Sequence, residues 1–276
     1  MESNFSAKGG ILGNSLKNQN LAVPQLTFPI TYAGASDVGL IREQNEDVWG
    51  ALPEKGLFLL ADGMGGQAAG EIAAKMAVDT LQELVEEWTP PADITEEGFC
   101  SFFTVSIQHT NRLIYQAAEK EVSWRGMGTT LTLLYLYQDR ALIAHVGDSR
   151  VYLLRSGELR SLTKDHSLLS ELFSLGVIEN EEAKGFPYKH ILTKALGTSE
   201  TIDPTLSTLR LESGDLFLLC SDGLTNMLSD HESEDLLRKN RPLNTRAQDL
   251  VDLANVKGGI DNTTVILVQV DHDLPR

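Results

Sequence analysis

Apolar residues recur every three to four positions in two stretches of the chain, a spacing that is typical of amphipathic helices. The first stretch, 69–88, places Ile72, Met76 and Leu84 on one helix face. The second runs from Phe99 to Ala117 with the same period. Because only the short segment "TPPADITEEG" separates the two stretches, we expect the helices to pack as an antiparallel pair.

Short apolar or alternating runs in the rest of the chain predict β-strands. The predicted strands lie at 57–63, 129–137, 141–147, 151–155, 205–211, 215–221 and 263–270. Turns at 138–139 and 156–157 are short enough for hairpins, and short connections favour antiparallel sheets. The pattern therefore predicts an α+β fold, a four-layer αββα sandwich in which two packed central antiparallel β-sheets are flanked by helix pairs.

The ends of the chain differ in composition from its middle. Residues 1–28 mix Gly, Asn, Ser and Lys without periodicity, which predicts a flexible N-terminal arm, and 272–276 form a short tail. Residues 29–271 contain no linker or repeat and are expected to form one domain. No apolar run approaches the roughly 18 residues that a membrane span needs, and no signal peptide is visible. We therefore expect a cytoplasmic protein without membrane contact.

Charge narrows the range of partners. The chain has 23 Lys and Arg against 39 Asp and Glu, a net charge of −16, which argues against nucleic acid and anionic membranes. An acidic chain can still act on an anionic substrate where bound cations invert the local charge. The two cysteines, Cys100 and Cys220, form neither a disulfide framework nor a zinc motif and are expected to be reduced core residues.

Two predicted strands end on Asp-Gly, in "LFLLADG" at 57–63 and "LFLLCSDG" at 216–223. Asp-Gly commonly marks a hairpin turn, yet helical sequence follows each of them. The run "GMGGQA" at 63–68 also fits a dinucleotide-binding turn, but Asp62 would face the pyrophosphate, and a second helix replaces the expected parallel strand. The remaining interpretation is that both strand ends present a carboxylate to one site, with glycine permitting close backbone approach.

Two converging carboxylates repel each other unless one is protonated or a cation lies between them. Further acids favour the cation, and they occur in "NED" at 45–47 and in "GGIDNTT" at 258–264. The candidate ligands are Glu46, Asp47, Asp62, Asp222 and Asp261. Because all of them are hard oxygen donors, Mg²⁺ or Mn²⁺ is the expected metal.

A series of motifs along the chain has a recognisable order. They are "SDVGLIREQNED" (36–47), "LADGMGG" (60–66), "GMGTTLT" (126–132), "AHVGDSRVYLL" (144–154), "LTKDHS" (162–167), "LTKALG" (192–197), "LCSDGLTN" (219–226) and "DNTTVILV" (261–268). In this order, over about residues 31–271, the chain resembles the metal-dependent serine/threonine protein phosphatases of type 2C, and it is most similar to their bacterial branch.

The resemblance implies a site with two metal ions. It assigns one ion to Asp47, Asp62 and the carbonyl of Gly63, and the other to Asp222 and Asp261. Asp62 would bridge both ions, and Glu46 would act through ordered water. A hydroxide between the two cations would attack phosphorus directly, without a covalent phosphoenzyme.

The resemblance also assigns substrate contacts. Arg42 matches the arginine that binds phosphate in this family, so Arg42, Asp62 and Asp222 are the expected catalytic residues; an ordinary surface arginine is the alternative for Arg42. The segment at about 168–197 resembles the family's flap. Within it, Tyr188, Lys189 and His190 are candidates for contact with a phosphopeptide, or belong to a packed or solvated loop.

Three positions are less settled or depart from relatives. Asp148 resembles the ligand of a third, weaker metal, with a capped turn beside a hairpin as the alternative. Some relatives carry an acid where this chain has Asn226, which lowers the expected affinity for a third metal. Met64 stands where animal-type relatives carry a histidine proposed as general acid.

His166 and His145 are expected to be structural, the first holding a loop and the second buried in a strand.

The sequence thus predicts a Mg²⁺- or Mn²⁺-dependent phosphatase acting on phosphoserine and phosphothreonine in proteins. Its expected partners are phosphoproteins and a cognate bacterial serine/threonine kinase, and it is expected to be a monomer. The alternative is a catalytically silent protein of the same fold that binds or regulates partners. Degenerate members usually lose metal ligands, whereas Asp47, Asp62, Gly63, Asp222 and Asp261 are all present.

Overall fold

Most of the described elements are β-strands, and the helices lie between them in three parts of the chain. The computed structural model describes residues 28–65, 69–91, 93–178, 187–188 and 191–271. The strands are β1 (Ile30–Asp37), β2 (Asp47–Leu52), β3 (Leu57–Met64), β4 (Gly128–Thr129), β5 (Leu131–Tyr137), β6 (Arg140–Val146), β7 (Arg150–Arg155), β8 (Glu158–Ser161), β9 (Thr205–Arg210), β10 (Leu216–Cys220) and β11 (Thr263–Val270). The α-helices are α1 (Ala69–Glu87), α2 (Glu96–Lys120), α3 (Leu168–Ser174), α4 (Asp222–Thr225), α5 (Asp230–Leu237) and α6 (Leu243–Val256), with 3₁₀ turns at Pro53–Lys55 and Val122–Trp124.

The strands form two sheets. One has the order β1-β11-β10-β7-β8, and the other has the order β2-β3-β5-β6-β9 with β4 paired to β3. All of these pairings are antiparallel. Both predicted hairpins are present, since Tyr137 pairs with Arg140 and Arg155 pairs with Glu158. The predicted antiparallel architecture is therefore confirmed.

The alternation of side chains along β3 explains the layers. Leu57, Leu59 and Ala61 belong to the core formed with α1 and α2, whereas Phe58 and Leu60 belong to the core between the two sheets. Successive residues of a strand point to opposite faces, so a fully buried strand is covered on both. The other sheet packs its outer face against α5 and α6. The result is the predicted four-layer αββα sandwich.

Strand β1 is absent from the predicted elements, and its sequence shows why. Its centre, Ala33 to Ala35, consists of small residues with low strand propensity. The structure requires Gly34 there, because a Cβ at this position would lie 2.6 Å from Cζ2 of Trp49. Packing against the other sheet therefore overrides the local preference. The short, mostly exposed strand β8 is also absent from the prediction, because its sequence, "ELRS", is polar.

The described residues begin at Phe28, which contacts the core. Phe28, the last residue of the predicted arm, packs against the core between the sheets. Residues 1–27 and 272–276 lie outside the described residues. Within the described part of the chain, no helix combines the length and the apolar character needed to cross a membrane.

Both cysteines are free thiols, as predicted. Cys220 is buried in β10, where burial raises the pKa of its thiol to about 12. Cys100 is half-buried on α2, and partial burial raises the pKa of its thiol as well. Both side chains are therefore protonated near neutral pH, which suits core residues rather than nucleophiles or metal ligands.

Candidate metal centre

The two Asp-Gly strand ends belong to opposite sheets and meet between them. On β3, Asp62 follows the alternation of Phe58 and Leu60, so it faces the inter-sheet side. Asp222 lies two residues after Cys220, the last residue of β10, and begins the short helix α4. Neither Asp-Gly forms a hairpin turn, because each is followed by a helix. The interpretation that both strand ends present carboxylates to one region is thus the one that the fold supports.

Asp47 is the direct cross-strand neighbour of Asp62. Residues Trp49 and Ala51 of β2 pack on the inter-sheet core, so by alternation Asp47 lies on the same face as Asp62. Like charges placed directly opposite each other in a sheet destabilise it. The fold therefore creates a local repulsion that a cation or a proton must relieve.

The electrostatics show that the acids are gathered together. Although Asp62 keeps some solvent exposure, burial, and then the charges of Asp47, Asp222, Asp148 and Asp261, raise its pKa well above the usual value. Burial raises the pKa of Asp47 to about 7, with Asp222 and Asp261 adding to the shift. Burial, and then Asp222, raise the pKa of Asp148 to about 7. Each carboxylate thus lies within the electrostatic range of several others.

One atom indicates that a cation fits this site. Asp47 is 8% exposed, and its Oδ2 accepts a 2.8 Å hydrogen bond from the Ser221 hydroxyl. Its Oδ1 is buried without a hydrogen-bond partner. A buried carboxylate oxygen without a donor is costly, and a hard divalent cation is the partner that an oxygen-only donor set would bind. The residues present therefore fit Mg²⁺ or Mn²⁺.

Arg42 pairs with one of the candidate metal ligands. Nη2 of Arg42 donates a 2.7 Å hydrogen bond to Oδ2 of Asp261. Among the described residues, no group of three acidic, histidine or cysteine side chains is arranged to hold a metal. Arg42 therefore competes with a cation for Oδ2 of Asp261.

The glycines of both Asp-Gly pairs allow close backbone approach, as predicted. A Cβ at Gly63 would lie 2.2 Å from the carbonyl oxygen of Gly70, at the start of α1. A Cβ at Gly223 would lie 2.0 Å from the carbonyl oxygen of Asn262. Both distances exclude any side chain. Glycine therefore lets the backbone of a neighbouring element pack directly against each strand end.

Two threonines that sequence reasoning left without a role hold the main chain of Asp62. The Asp62 amide donates to Oγ1 of Thr130 at 3.0 Å, and its carbonyl accepts from the Thr130 amide at 2.8 Å and from Oγ1 of Thr129 at 3.0 Å. Oγ1 of Thr130 also lies 2.8 Å from Oγ of Ser149, beside Asp148. The polar pair within the buried run "GMGTTLT" was the available signal.

Asn262 holds the loop that carries Arg42 and Glu46. Its Oδ1 accepts from the Glu46 amide at 2.8 Å, and its Nδ2 donates to the carbonyls of Val38 and Gln44 at 2.9 Å each. The Gly63 amide donates to the Glu46 carbonyl at 3.1 Å. This buried asparagine links β11, β3 and the loop. Its position directly after Asp261 was the only signal in the sequence.

Asp148 lies where the chain crosses from one sheet to the other. Strand β6 pairs with β5 and β9, whereas β7 pairs with β10 and β8. The connection that contains Asp148 is therefore not a hairpin, and both its role as a metal ligand and the alternative of a capped turn stay predictions. Nδ2 of Asn226 donates to Oδ2 of Asp222 at 3.0 Å. Asn226 thus orients Asp222 instead of supplying a further charge.

Both histidines have structural partners, as predicted. His145 is buried, its Nε2 lies 2.9 Å from the Lys164 carbonyl, and its ring stacks on His166 with a centroid distance of 4.5 Å. Nδ1 of His166 accepts from the Gly147 amide at 3.2 Å, and its Nε2 lies 2.9 Å from Oγ1 of Thr205. Burial lowers the pKa of His166 to about 4. Neutral, hydrogen-bonded imidazoles therefore hold the loop between β8 and α3.

The predicted flap is described in part. Its first residues form α3, and Ser167 and Leu192 are bridged at its base. Tyr188 is exposed, whereas Lys189 and His190 lie outside the described residues. The contacts of this segment with a substrate stay a prediction.

The buried acids predict how stability depends on pH in the absence of metal. The pKa values of Asp47 and Asp148 are raised to about 7, above their values of about 3.9 in an unfolded chain. Between these values the folded state binds more protons than the unfolded chain, so raising the pH lowers the free energy of unfolding. In EDTA, we expect the urea concentration at the unfolding midpoint to decrease as the pH is raised from about 4 to about 8.

Two controls make this measurement specific. Asp47→Asn should flatten the decrease, because the amide does not titrate, and Mn²⁺ should raise the midpoint most at the alkaline end, where metal no longer competes with protons. A midpoint that rises with pH in EDTA, equally in the wild type and in Asp47→Asn, would show that these carboxylates are not the groups that limit stability.

Known proteins are similar to this chain in both sequence and fold. The family profile of protein phosphatase 2C matches residues 42–253. The serine/threonine phosphatase stp of Listeria monocytogenes is 42% identical over 239 residues, which cover 86% of this chain and 94% of that protein. The structure of the S. agalactiae serine/threonine phosphatase superimposes with a TM-score of 0.81 at 38% identity, covering 88% of this chain and 100% of that chain.

A further solved structure bears on the metal. The catalytic domain of the serine/threonine protein phosphatase PstP, in complex with two manganese ions, has a TM-score of 0.77 and 37% identity, covering 88% of this chain and 99% of that chain. The chain therefore belongs to the protein phosphatase 2C family. The predicted family, fold class and enzyme class are confirmed.

Proposed function

We propose that this chain hydrolyses phosphoserine and phosphothreonine in proteins at the carboxylate cluster between the ends of β3 and β10. The observation that carries the proposal is the buried Oδ1 of Asp47, which lacks a hydrogen-bond partner and belongs to a carboxylate whose pKa is raised by burial and by the neighbouring acids Asp222 and Asp261. Such a group accepts cations, and cations allow an acidic protein to receive a phosphate dianion. The intact acid set speaks against a catalytically silent binding protein.

The proposed ligands divide between two ions. Asp47, Asp62 and the Gly63 carbonyl would hold one, and Asp222 and Asp261 the other, with Asp62 shared and Glu46 acting through water. When bound, Mn²⁺ or Mg²⁺ would neutralise the phosphoryl charge. It would also lower the pKa of water, so that hydroxide is available to attack phosphorus near neutral pH. Asp148 would contribute to a third, weaker site. The two manganese ions in the PstP domain support the number of ions.

Arg42 is the proposed phosphate-binding residue. Its side chain is 52% exposed at the edge of the cluster. Partial burial tends to lower the pKa of its guanidinium, but Asp261 and then Glu46 outweigh it and raise the pKa, so the group stays charged. A guanidinium can hold two phosphoryl oxygens at once. We infer that cation binding at Asp261 releases Arg42 from its ion pair and makes it available to the phosphate.

Other side chains hold these groups in place. Thr130 and Thr129 hold the Asp62 main chain, and Asn262 holds the amide of Glu46. Ser221 accepts from the Thr264 amide at 3.0 Å while donating to Asp47. These contacts fix the ligands before a cation binds, which reduces the ordering that binding must impose.

We further propose a cytoplasmic, monomeric protein whose substrates are phosphoproteins, acting in opposition to a serine/threonine kinase. The net charge of −16 argues against nucleic acid as a partner.

The proposal is tested by the hydrolysis of a phosphothreonine peptide, a phosphoserine peptide and p-nitrophenyl phosphate by the purified full chain. We expect no turnover in EDTA and turnover of all three with Mn²⁺ or Mg²⁺ in excess. Ca²⁺ at the same concentration is the matched control for ionic strength. A protein that hydrolyses none of the three with Mn²⁺ or Mg²⁺, or that retains full activity in EDTA, would contradict the proposal.

A further inference from the structure

Three exposed apolar side chains border the pair formed by Arg42 and Asp261. Leu40 is 67% exposed, Ile41 is 68% exposed and Ile260 is 48% exposed. Leu40 and Ile41 directly precede Arg42, and Ile260 directly precedes Asp261. We name these three residues the apolar rim. Single exposed apolar residues are common on protein surfaces, but a group of them beside a charged site is a candidate interaction surface.

Backbone contacts bring the two halves of the apolar rim together. The Leu40 amide donates to the Gly259 carbonyl at 2.7 Å. A Cβ at Gly259 would lie 2.9 Å from Cγ of Leu40, so the leucine side chain lies against that glycine. Gly39 adopts a φ of +82°, and a Cβ there would lie 2.5 Å from the Asp261 carbonyl oxygen. The loops before Arg42 and before Asp261 are therefore in direct contact.

The loops that carry the apolar rim are held by hydrogen bonds at their base. Asp37 Oδ1 accepts from the Gly39 amide at 2.8 Å and from Nδ2 of Asn255 at 2.9 Å. Asn262 donates to the Val38 carbonyl at 2.9 Å. A surface that is ordered before binding loses little conformational entropy when a ligand arrives. The backbone that carries these side chains is thus held by the fold.

We infer that the apolar rim docks an apolar side chain of the phosphoprotein substrate, close in sequence to the phosphorylated residue. The inference rests on the proposed function, which places the phosphate at Arg42. An extended peptide advances about 3.3 Å per residue, so residues within a few positions of the phosphorylated one reach the loops beside Arg42. The residues of the apolar rim directly precede Arg42 and Asp261 in the chain, and hydrolysis of the small p-nitrophenyl phosphate would not require contact with them.

The test compares two phosphothreonine peptides that differ only in having Leu or Ser at both positions two residues from the phosphothreonine. With Mn²⁺, the wild type should hydrolyse the Leu peptide with about tenfold higher kcat/KM, equivalent to about 1.4 kcal/mol. Leu40→Ser and Ile260→Ser should each reduce this preference, and the double variant should abolish it. Val105→Ser is the matched control, because Val105 is 63% exposed on α2 and should keep the preference.

The preference is a ratio within each variant, so a general change in activity cancels. Ile260→Ser serves as the test if Leu40→Ser does not fold, as judged by circular dichroism. Equal kcat/KM for both peptides in the wild type, or an unchanged preference in the folded variants, would overturn the inference. A concentration-dependent dimer that Leu40→Ser dissociates, without any peptide preference, would also overturn it. Failure of the proposed function is distinct, because neither peptide nor p-nitrophenyl phosphate would then be hydrolysed.

Discussion

Asp62→Asn should lower kcat for p-nitrophenyl phosphate by at least about a thousandfold, because it removes the charge proposed to be shared by both cations. A loss of this size corresponds to about 4 kcal/mol of transition-state stabilisation, within the several kcal/mol that metal charge supplies. The fold should persist, since the contacts of Asp62 with Thr129 and Thr130 use only its main chain. Steady-state kinetics with saturating Mn²⁺ and a circular dichroism spectrum measure both effects.

The same variant should be more stable than the wild type in EDTA at about pH 8. Burial, and then the neighbouring acids, raise the pKa of Asp62, so the wild type loses stability as the pH rises above the ordinary range of a carboxyl group, whereas the asparagine does not titrate. Asp203→Asn is the control, because the Asp203 side chain is 91% exposed, and neither activity nor stability should change. Full activity in Asp62→Asn, or an unfolded protein, would refute the assignment of this residue.

Arg42→Ala should lower kcat/KM for the phosphothreonine peptide by about a hundredfold, because hydrogen bonds to charged groups contribute about 1.5–3 kcal/mol each. Mn²⁺ affinity should be unchanged or higher, because the variant lacks the guanidinium whose Nη2 lies 2.7 Å from Oδ2 of Asp261. Peptide kinetics and calorimetric titration with Mn²⁺ separate the two effects. Arg42→Lys should recover part of the loss, because it keeps the charge without the planar fork.

Arg210→Ala is the matched control for Arg42→Ala. Arg210 is also an exposed arginine paired with an aspartate, Asp139, but it lies on β9, and its removal should leave both quantities unchanged. A parallel fall of Mn²⁺ affinity and turnover in Arg42→Ala would mean that the arginine supports the metal site and does not bind the phosphate.

Local sequence patterns were sufficient to locate the strand ends of the candidate site. The buried run before each Asp-Gly predicted a strand, and the helical sequence after it excluded a hairpin, which the observed α1 and α4 confirm. Close backbone approach at Gly63 and Gly223 was also predictable from the residue type. These features depend on neighbours within a few positions of the chain, which a single sequence displays directly.

The individual contacts between distant residues were not predictable from the sequence, although the convergence of the acids was. The pairing of Asp47 with Asp62 is a matter of strand register, and the bond between Arg42 and Asp261 joins residues 219 positions apart. The supporting roles of Thr130 and Asn262 follow from contacts across 68 and 216 positions. A polar residue inside a buried run signals that such a partner exists, but the sequence does not say which one.

The most direct test of the account is a Mn²⁺ titration of the metal-free full chain followed by electron paramagnetic resonance. We expect two Mn²⁺ per chain with magnetic coupling between them, and loss of that coupling in Asp62→Asn but not in Asp203→Asn. A spectrum of isolated Mn²⁺ at every stoichiometry, identical in the wild type and Asp62→Asn, would contradict the claim that the paired Asp-Gly strand ends hold a dinuclear centre.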